Sequence, residues 1–182
     1  MLRTTRILAA LLAVSAGTVD AQPVPRQNGP VIRGAGEVFV IADPDIATPV
    51  DYTYRAVFEV AQTSEEPGQV NVSFNSAARF LNMHAQAGVR REQLHIALVV
   101  HGPAGRDLLN DALYRERYGV ANPNIPVLDE LARAGVQIIL CGQTAAARDL
   151  PRAALAEPVQ VALSAMTAMV LLQDEGYRLI PF

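Results

Sequence analysis

From Tyr54 onward the chain alternates between short apolar runs and stretches of helical period. Arg55-Ala56-Val57-Phe58-Glu59-Val60 is rich in β-branched and aromatic residues and predicts a first strand. Ser64-Glu65-Glu66-Pro67-Gly68 reads as a loop. Phe74, Ala77, Ala78, Leu81 and Ala85 then recur at i, i+3, i+4, i+7 and i+11, which is one face of a helix, and Gly88 supplies its stop. Residues 94–100 are apolar except for His95. So continuous a run predicts a strand buried on both faces, as in a parallel sheet.

The segment 106–117 pairs Leu109 with Leu113 and Asp111 with Arg115 at i, i+4, which predicts another helix. Asn122-Pro123-Asn124 opens a further one, with Leu128, Leu131 and Ala132 as its apolar stripe and Gly135 as its end. Residues 136–140, apolar except for Gln137, form a second strand, which runs into Cys141-Gly142-Gln143-Thr144 and a short Ala-rich helix. Pro158 precedes a strand at residues 159–162. Met166, Met169 and Val170 are the expected inward face of a last helix that stops at Gly176, and residues 177–180 make a final strand. Alternating strands and helices imply βαβ units with right-handed crossovers. The fold class is therefore α/β, with a mainly parallel sheet covered on both faces. Ligands in such sheets gather at the carboxyl ends of the strands. That rule selects two segments, His101-Gly102-Pro103 and Cys141-Gly142-Gln143.

The first fifty residues follow a different pattern. Arg3 and Arg6 precede the apolar run Ile7 to Val14, and small residues lead to Val19-Asp20-Ala21. A charged region, a short apolar region and a small-x-small site define a secretory signal peptide, residues 1–21, with cleavage expected after Ala21. The apolar run is too short to span a bilayer core of about 30 Å. No Cys lies near the cleavage site and the two arginines are not adjacent, which argues against lipoprotein and twin-arginine export. The expected location is the periplasm, with no membrane association after cleavage. Residues 22–52, rich in Pro and Gly, read as an irregular extension in which Val38-Phe39-Val40-Ile41 adds at most one edge strand. The domain proper is expected at residues 53–182.

Composition narrows the function classes. The 182 residues suffice for one domain with a sizeable core, and 51% are hydrophobic by type. The formal net charge is −3, and all 15 basic residues are Arg. Removing residues 1–21 takes away Arg3, Arg6 and Asp20, so 13 basic residues face 17 acidic ones and the charge becomes −4. Such a chain presents no basic field, so nucleic acid is not an expected partner. Its single Cys rules out an internal disulfide. The sequence contains no phosphate-binding GxxxxGK[ST] loop, no GxSxG elbow, no dinucleotide fingerprint and no zinc-ligand spacing. No cofactor or metal is expected.

Cys141 carries the sharpest chemistry. It stands where a buried strand ends and a helix begins, so the helix's unpaired N–H groups face it. A thiolate is stabilised there, and the thiolate is the nucleophile. Gly142 lets backbone approach closely, and Gln143 and Thr144 offer hydrogen bonds to an anion or a persulfide. The plainer reading is a buried Cys acting as a small hydrophobe. His101 ends the other central strand. It is either a proton carrier beside Cys141 or a strand-end His bonded to a loop carbonyl. His84, near the end of the first helix, and His95, inside a strand, read as structural.

Several short segments together resemble one family. Leu81-Asn82-Met83-His84-Ala85, Val99-Val100-His101-Gly102, Asn122-Pro123-Asn124, Cys141-Gly142-Gln143 and Gln173-Asp174-Glu175-Gly176-Tyr177 look like the DsrE/DsrF-like family, in its exported single-domain branch. The resemblance spans residues 54–182. It implies a three-layer α/β/α sandwich with a sheet of about five parallel strands, often assembled as a homo-oligomer. It also implies transfer of sulfane sulfur through cysteine persulfides, with Cys141 as the working residue. The partner would then be a thiol-bearing protein or a small sulfur compound, since the chain has no second thiol of its own. An exported chain is a poor candidate for tRNA thiolation. Two other readings stand beside the sulfur carrier. One is a non-catalytic, oligomeric binding or assembly module with a structural Cys141. The other is a redox sensor that pairs Cys141 between chains.

Overall fold

The computed structural model describes residues 25–181. The signal peptide expected at residues 1–21 lies outside them. Five strands form one sheet in the order β4-β3-β2-β1-β5, and every adjacent pair is parallel. They are β1 (Tyr54–Val60), β2 (Leu94–Val100), β3 (Gln137–Cys141), β4 (Val159–Ala162) and β5 (Arg178–Ile180). The helices are α1 (Val72–Gln86), α2 (Asp111–Tyr118), α3 (Ile125–Arg133), α4 (Gly142–Ala147) and α5 (Ala165–Asp174). The result is a three-layer α/β/α domain.

The layers are unequal, and side-chain alternation along the strands decides what each face receives. Ala56, Phe58, Leu98, Val100, Ile138 and Leu140 point to the face covered by Phe74, Ala77, Ala78 and Leu81 of α1 and by Val127, Leu128 and Leu131 of α3. Val57, Ala97, Val99 and Ile139 point the other way, where, among the described residues, α5 covers them through Ala168 and Leu172, with Tyr177 beside them. The central position of β2 explains its continuous apolar run, since both of its faces are buried.

Three local expectations are corrected. Helix α2 begins at Asp111, not near Arg106, because Gly102–Leu108 forms a 3-10 turn and the Asn110 side chain caps α2 by accepting from Leu113 N. Leu109 is therefore extended and bridges Leu155. The Asp111–Arg115 pair does form, at 2.7 Å. In the N-terminal extension, Val38 makes an isolated antiparallel bridge to Gln27 rather than joining the sheet as an edge strand. Lastly, α5 turns Ala168 and Leu172 inward with Met169 packed beside them as expected, while Met166 is 77% exposed and Val170 58%. Helix α5 is apolar nearly all round, so its period fits more than one stripe. The small side chains of Ala165 and Ala168 let it sit close to the sheet.

The extension is irregular, yet it is tied to the domain. Ile32 and Val38 are buried, and Ile32 joins the core on the α1 side. Asn82 of α1, fully buried, accepts from Ile32 N at 2.8 Å. Its amide donates to the carbonyls of Ile32 and Gly36, each at 2.9 Å. Glu130 of α3 accepts from Arg33 N and Gly34 N at 2.6 and 3.1 Å.

Candidate functional site

The ends of β1, β2 and β3 bring together three side chains on the α5 face. Glu59 follows Val57 by two residues, His101 follows Val99, and Cys141 follows Ile139, so alternation turns all three toward α5. In the parallel register Val100 pairs with Leu140, which makes His101 and Cys141 lateral neighbours one step further on. All three residues line one cleft of about 370 Å³, together with Gln143, Ser164, Ala165, Met166, Met169, Gln173 and Leu179.

Cys141 is a free thiol, 6% exposed, at the floor of this cleft. The sequence predicts one helix start beside it, but the fold delivers two. Cys141 pairs with Ala162 across β3 and β4, so the helices that follow both strands begin at the same level. Burial pushes the thiol pKa up. Hydrogen bonds from the Thr144 backbone and hydroxyl, and from the backbone N–H groups of Ala165 and Gln143, outweigh it and hold the thiol below its ordinary value. These donors stabilise the charged sulfur more than the neutral one.

Thr144 has a second task. Its Oγ1 accepts from Gly102 N at 3.0 Å, which frees the hydroxyl hydrogen to point at the sulfur. The turn after β2 thereby sets the hydroxyl rotor that serves the thiol at the end of β3. Gly102 has φ +57, a left-handed conformation that suits glycine. Gly142 is required for a different reason. A Cβ there would lie 2.6 Å from the Ala162 carbonyl oxygen and 3.1 Å from that of Leu163. Backbone approach, expected for Gly142, is thus the contact that brings β4 and α5 against the sulfur. The Gln143 amide donates to Leu163 O at 3.4 Å, a long bond that leaves the side chain at the cleft wall.

His101 shares the cleft with Cys141, but its Nε2 contacts Glu59 Oε1 at 2.9 Å rather than the thiol. Glu59 fixes the ring from the β1 side. Sequence reading did not select Glu59, although a signal was present: it is a charged residue one step before the end of the strand, on the same face as the buried Val57. Ser164 caps α5 by accepting from Thr167 N at 3.0 Å and so aims Ala165 N at the sulfur. The other two histidines lie elsewhere. His84 contacts Phe80 O through Nδ1 at 2.8 Å and stacks on the Phe80 ring. His95 is on β2, toward the opposite end of the sheet. Among the described residues no group of three His, Cys, Asp or Glu could hold a metal ion. Among the same residues no helix is long and apolar enough to cross a membrane.

The Thr144 contact makes a direct prediction. In Thr144→Val the sulfur loses its hydroxyl donor and the turn after β2 loses an acceptor. The midpoint of iodoacetamide alkylation should move to higher pH. In the wild-type chain the thiolate, and so the alkylation rate, should already rise below the pH range of an ordinary thiol. Identical pH profiles for the two chains would show that Thr144 does not act on the sulfur.

The geometry is thus a parallel five-stranded domain with an acidified thiol in a cleft at its carboxyl edge. The DsrE/DsrF-like family model matches residues 55–182, and the chain belongs to the DsrE/DsrF-like family. Membership suggests a role of the sulfur-relay type. Among solved structures, a protein of unknown function, MTH1491 from Methanobacterium thermoautotrophicum, aligns with a TM-score of 0.53 at 23% identity. The alignment covers 71% of this chain and 99% of that one, a likeness of fold. No curated protein matches the sequence.

Proposed function

We propose that this protein carries sulfane sulfur as a persulfide on Cys141 and passes it to a thiol outside the chain, in the periplasm after loss of residues 1–21. The observation that carries the reading is the sulfur itself: a free thiol, acidified by four protein donors, opening onto a cleft that also holds a His–Glu pair. The Cys141 thiolate attacks the terminal sulfur of a polysulfide. A Cys–S–S⁻ bond forms, the polysulfide S–S bond breaks, and its electron pair leaves with the shortened polysulfide. No outside oxidant is needed. In the second half, an acceptor thiolate attacks the outer sulfur, and Cys141 departs as the thiolate that the site already favours. The donors of Gln143, Thr144 and Ala165 hold the departing charge. His101, oriented by Glu59, takes the proton of the incoming thiol.

Incubation with polysulfide followed by intact-mass measurement tests the reading. The expected product gains the mass of one sulfur atom, and a small thiol removes it. Absence of any gain would overturn the proposal. His101→Ala should still charge, but it should hand sulfur to a small thiol about a hundredfold more slowly, the lower end of general acid–base contributions. Unchanged transfer would remove His101 from the mechanism.

One observation favours a second reading, an oligomeric binding or assembly module. Met166 and Leu179 line the same cleft and are exposed, and Leu163, Val170 and Leu171, at or just before α5, are exposed as well. Such a rim suits a second copy of the chain. Slow alkylation of Cys141 in the folded state, with no sulfur uptake, would select this reading over the carrier.

A further inference from the structure

The opposite edge of the sheet holds a second, differently built cavity. Arg33, Arg91 and Arg133 line a hollow of about 470 Å³ with Val31, Glu130 and Ala134. It lies where α3 turns into β3 and where the chain enters β2, at the amino ends of the strands and far along them from Cys141. Three guanidinium groups face one carboxylate. That carboxylate is already engaged, because Glu130 accepts from the backbone N–H groups of Arg33 and Gly34. Among the described residues no carboxylate lies within ion-pair distance of Arg33, Arg91 or Arg133.

The arrangement is held in place. Arg91 donates from Nη1 to Leu94 O at 2.9 Å. Gly135, with φ +75, leaves room for its other end, since a Cβ there would sit 2.8 Å from Arg91 Nη2. The Glu130 contacts and the Asn82 clamp bring the extension, and so Arg33, against α3. Positive charge at this edge is felt by His95, whose pKa is lowered by burial and then by Arg55 and Arg91. Three guanidiniums against the single Glu130 carboxylate leave an excess of positive charge that an anion would offset, and Arg is the side chain best shaped for oxyanions.

We infer that the cavity bounded by Arg33, Arg91 and Arg133 binds a multivalent oxyanion of the phosphate or sulfate type. The ligand is either a free anion or a lipid headgroup of the same chemistry. This site does not depend on sulfur chemistry at Cys141. The test is a thermal-shift and calorimetric titration of the full chain with pyrophosphate, at ionic strength matched with sodium chloride so that general screening cancels. The wild-type chain should show a saturable rise in Tm. The double variant Arg33→Gln/Arg133→Gln, which leaves the anchored Arg91 untouched, should bind at least tenfold more weakly, and Arg133→Lys should fall between them. Sedimentation with phosphatidylglycerol vesicles, against phosphatidylcholine vesicles, forms the second arm. Binding to those anionic vesicles alone, lost in the double variant, would assign the site to a headgroup. Binding of pyrophosphate would assign it to a free anion. The inference is overturned if neither probe binds, or if the double variant binds both as well as the wild type does.

Discussion

Cys141→Ser should abolish sulfur uptake while leaving the fold intact. Cys141 is the sole Cys in the chain, so no other thiol can accept the sulfur. A Ser hydroxyl in its place faces the same donors of Gln143, Thr144 and Ala165, but it stays protonated at neutral pH and does not attack a polysulfide. The expected mass gain is zero under conditions that charge the wild-type chain fully. The stability cost should be small, within about 1.5 kcal/mol, because the substitution nearly conserves volume and the smaller oxygen keeps its hydrogen bonds. Denaturant titration with an unchanged m-value checks that point. An equal gain of sulfur mass on Cys141→Ser would mean that sulfur adds elsewhere, and the carrier reading would fall even if the wild-type chain charged. Alkylation gives an independent comparison. The wild-type chain should be labelled once and the variant not at all, so a missing sulfur adduct can be told apart from a missing thiol.

The strands were legible because their burial is extreme. A five-stranded sheet of this order leaves β2 and β3 covered on both sides, so residues 94–100 and 136–140 are apolar except for the part-buried His95 and Gln137 near their amino ends, and their other ends mark the carboxyl edge. The orientation of α5 was not legible. A helix carrying Ala165, Met166, Ala168, Met169, Val170, Leu171 and Leu172 has no polar stripe to say which way it faces, and the sheet chooses the face with the smaller side chains. Residues 106–110, within the helix expected over 106–117, are not α-helical for a related reason. Their helical spacing is real, but the buried Asp107 is held by Asn71 Nδ2 and Thr63 Oγ1 at 2.7 Å each, contacts that no local pattern encodes.

Of the site, Cys141 and His101 follow from strand ends and topology alone. The contributions of Glu59 and Ala165 do not. Glu59 comes from a neighbouring strand and Ala165 from the helix that follows one, so seeing them requires knowing that β1 borders β2 and β4 borders β3. The acidity of Cys141 is therefore a property of strand order as much as of the Cys-Gly-Gln-Thr segment. Two helices start beside the sulfur only because β3 and β4 end in step. Gly142→Ala should report this dependence. Its Cβ would press on the Ala162 carbonyl, drive β4 and the α5 start away, and remove the Ala165 donor without touching the sulfur itself.

Asn82→Ala should cost about 3–5 kcal/mol of folding stability, the largest loss among these substitutions. The Asn82 side chain lies on the α1 face, across the sheet from the sulfur cleft, and is fully buried. It is the hydrogen-bond partner of Ile32 N, Ile32 O and Gly36 O at 2.8, 2.9 and 2.9 Å, with longer contacts to Val31 N and Ala35 O. Alanine leaves these backbone groups unpaired beside a core residue, and each buried orphan costs about 1–3 kcal/mol unless water reaches it. The Asn82 side chain also packs directly on Gly29, where a Cβ would collide with it, so truncation loses that contact as well. Denaturant unfolding should show the loss at constant m-value, and limited proteolysis should cut first within residues 25–38, ahead of the sheet. A loss below about 1 kcal/mol would mean that the extension rests on the domain without bracing it. The cleft is lined from β1, β5, α5 and the ends of β2 and β3, whereas the hydrogen bonds of the Asn82 side chain go to residues 31–36. Below its lowered Tm the variant should therefore still take up sulfur on Cys141. Failure to do so at full folding would show that the extension, which lies before the matched residues 55–182, reaches the sulfur through the sheet.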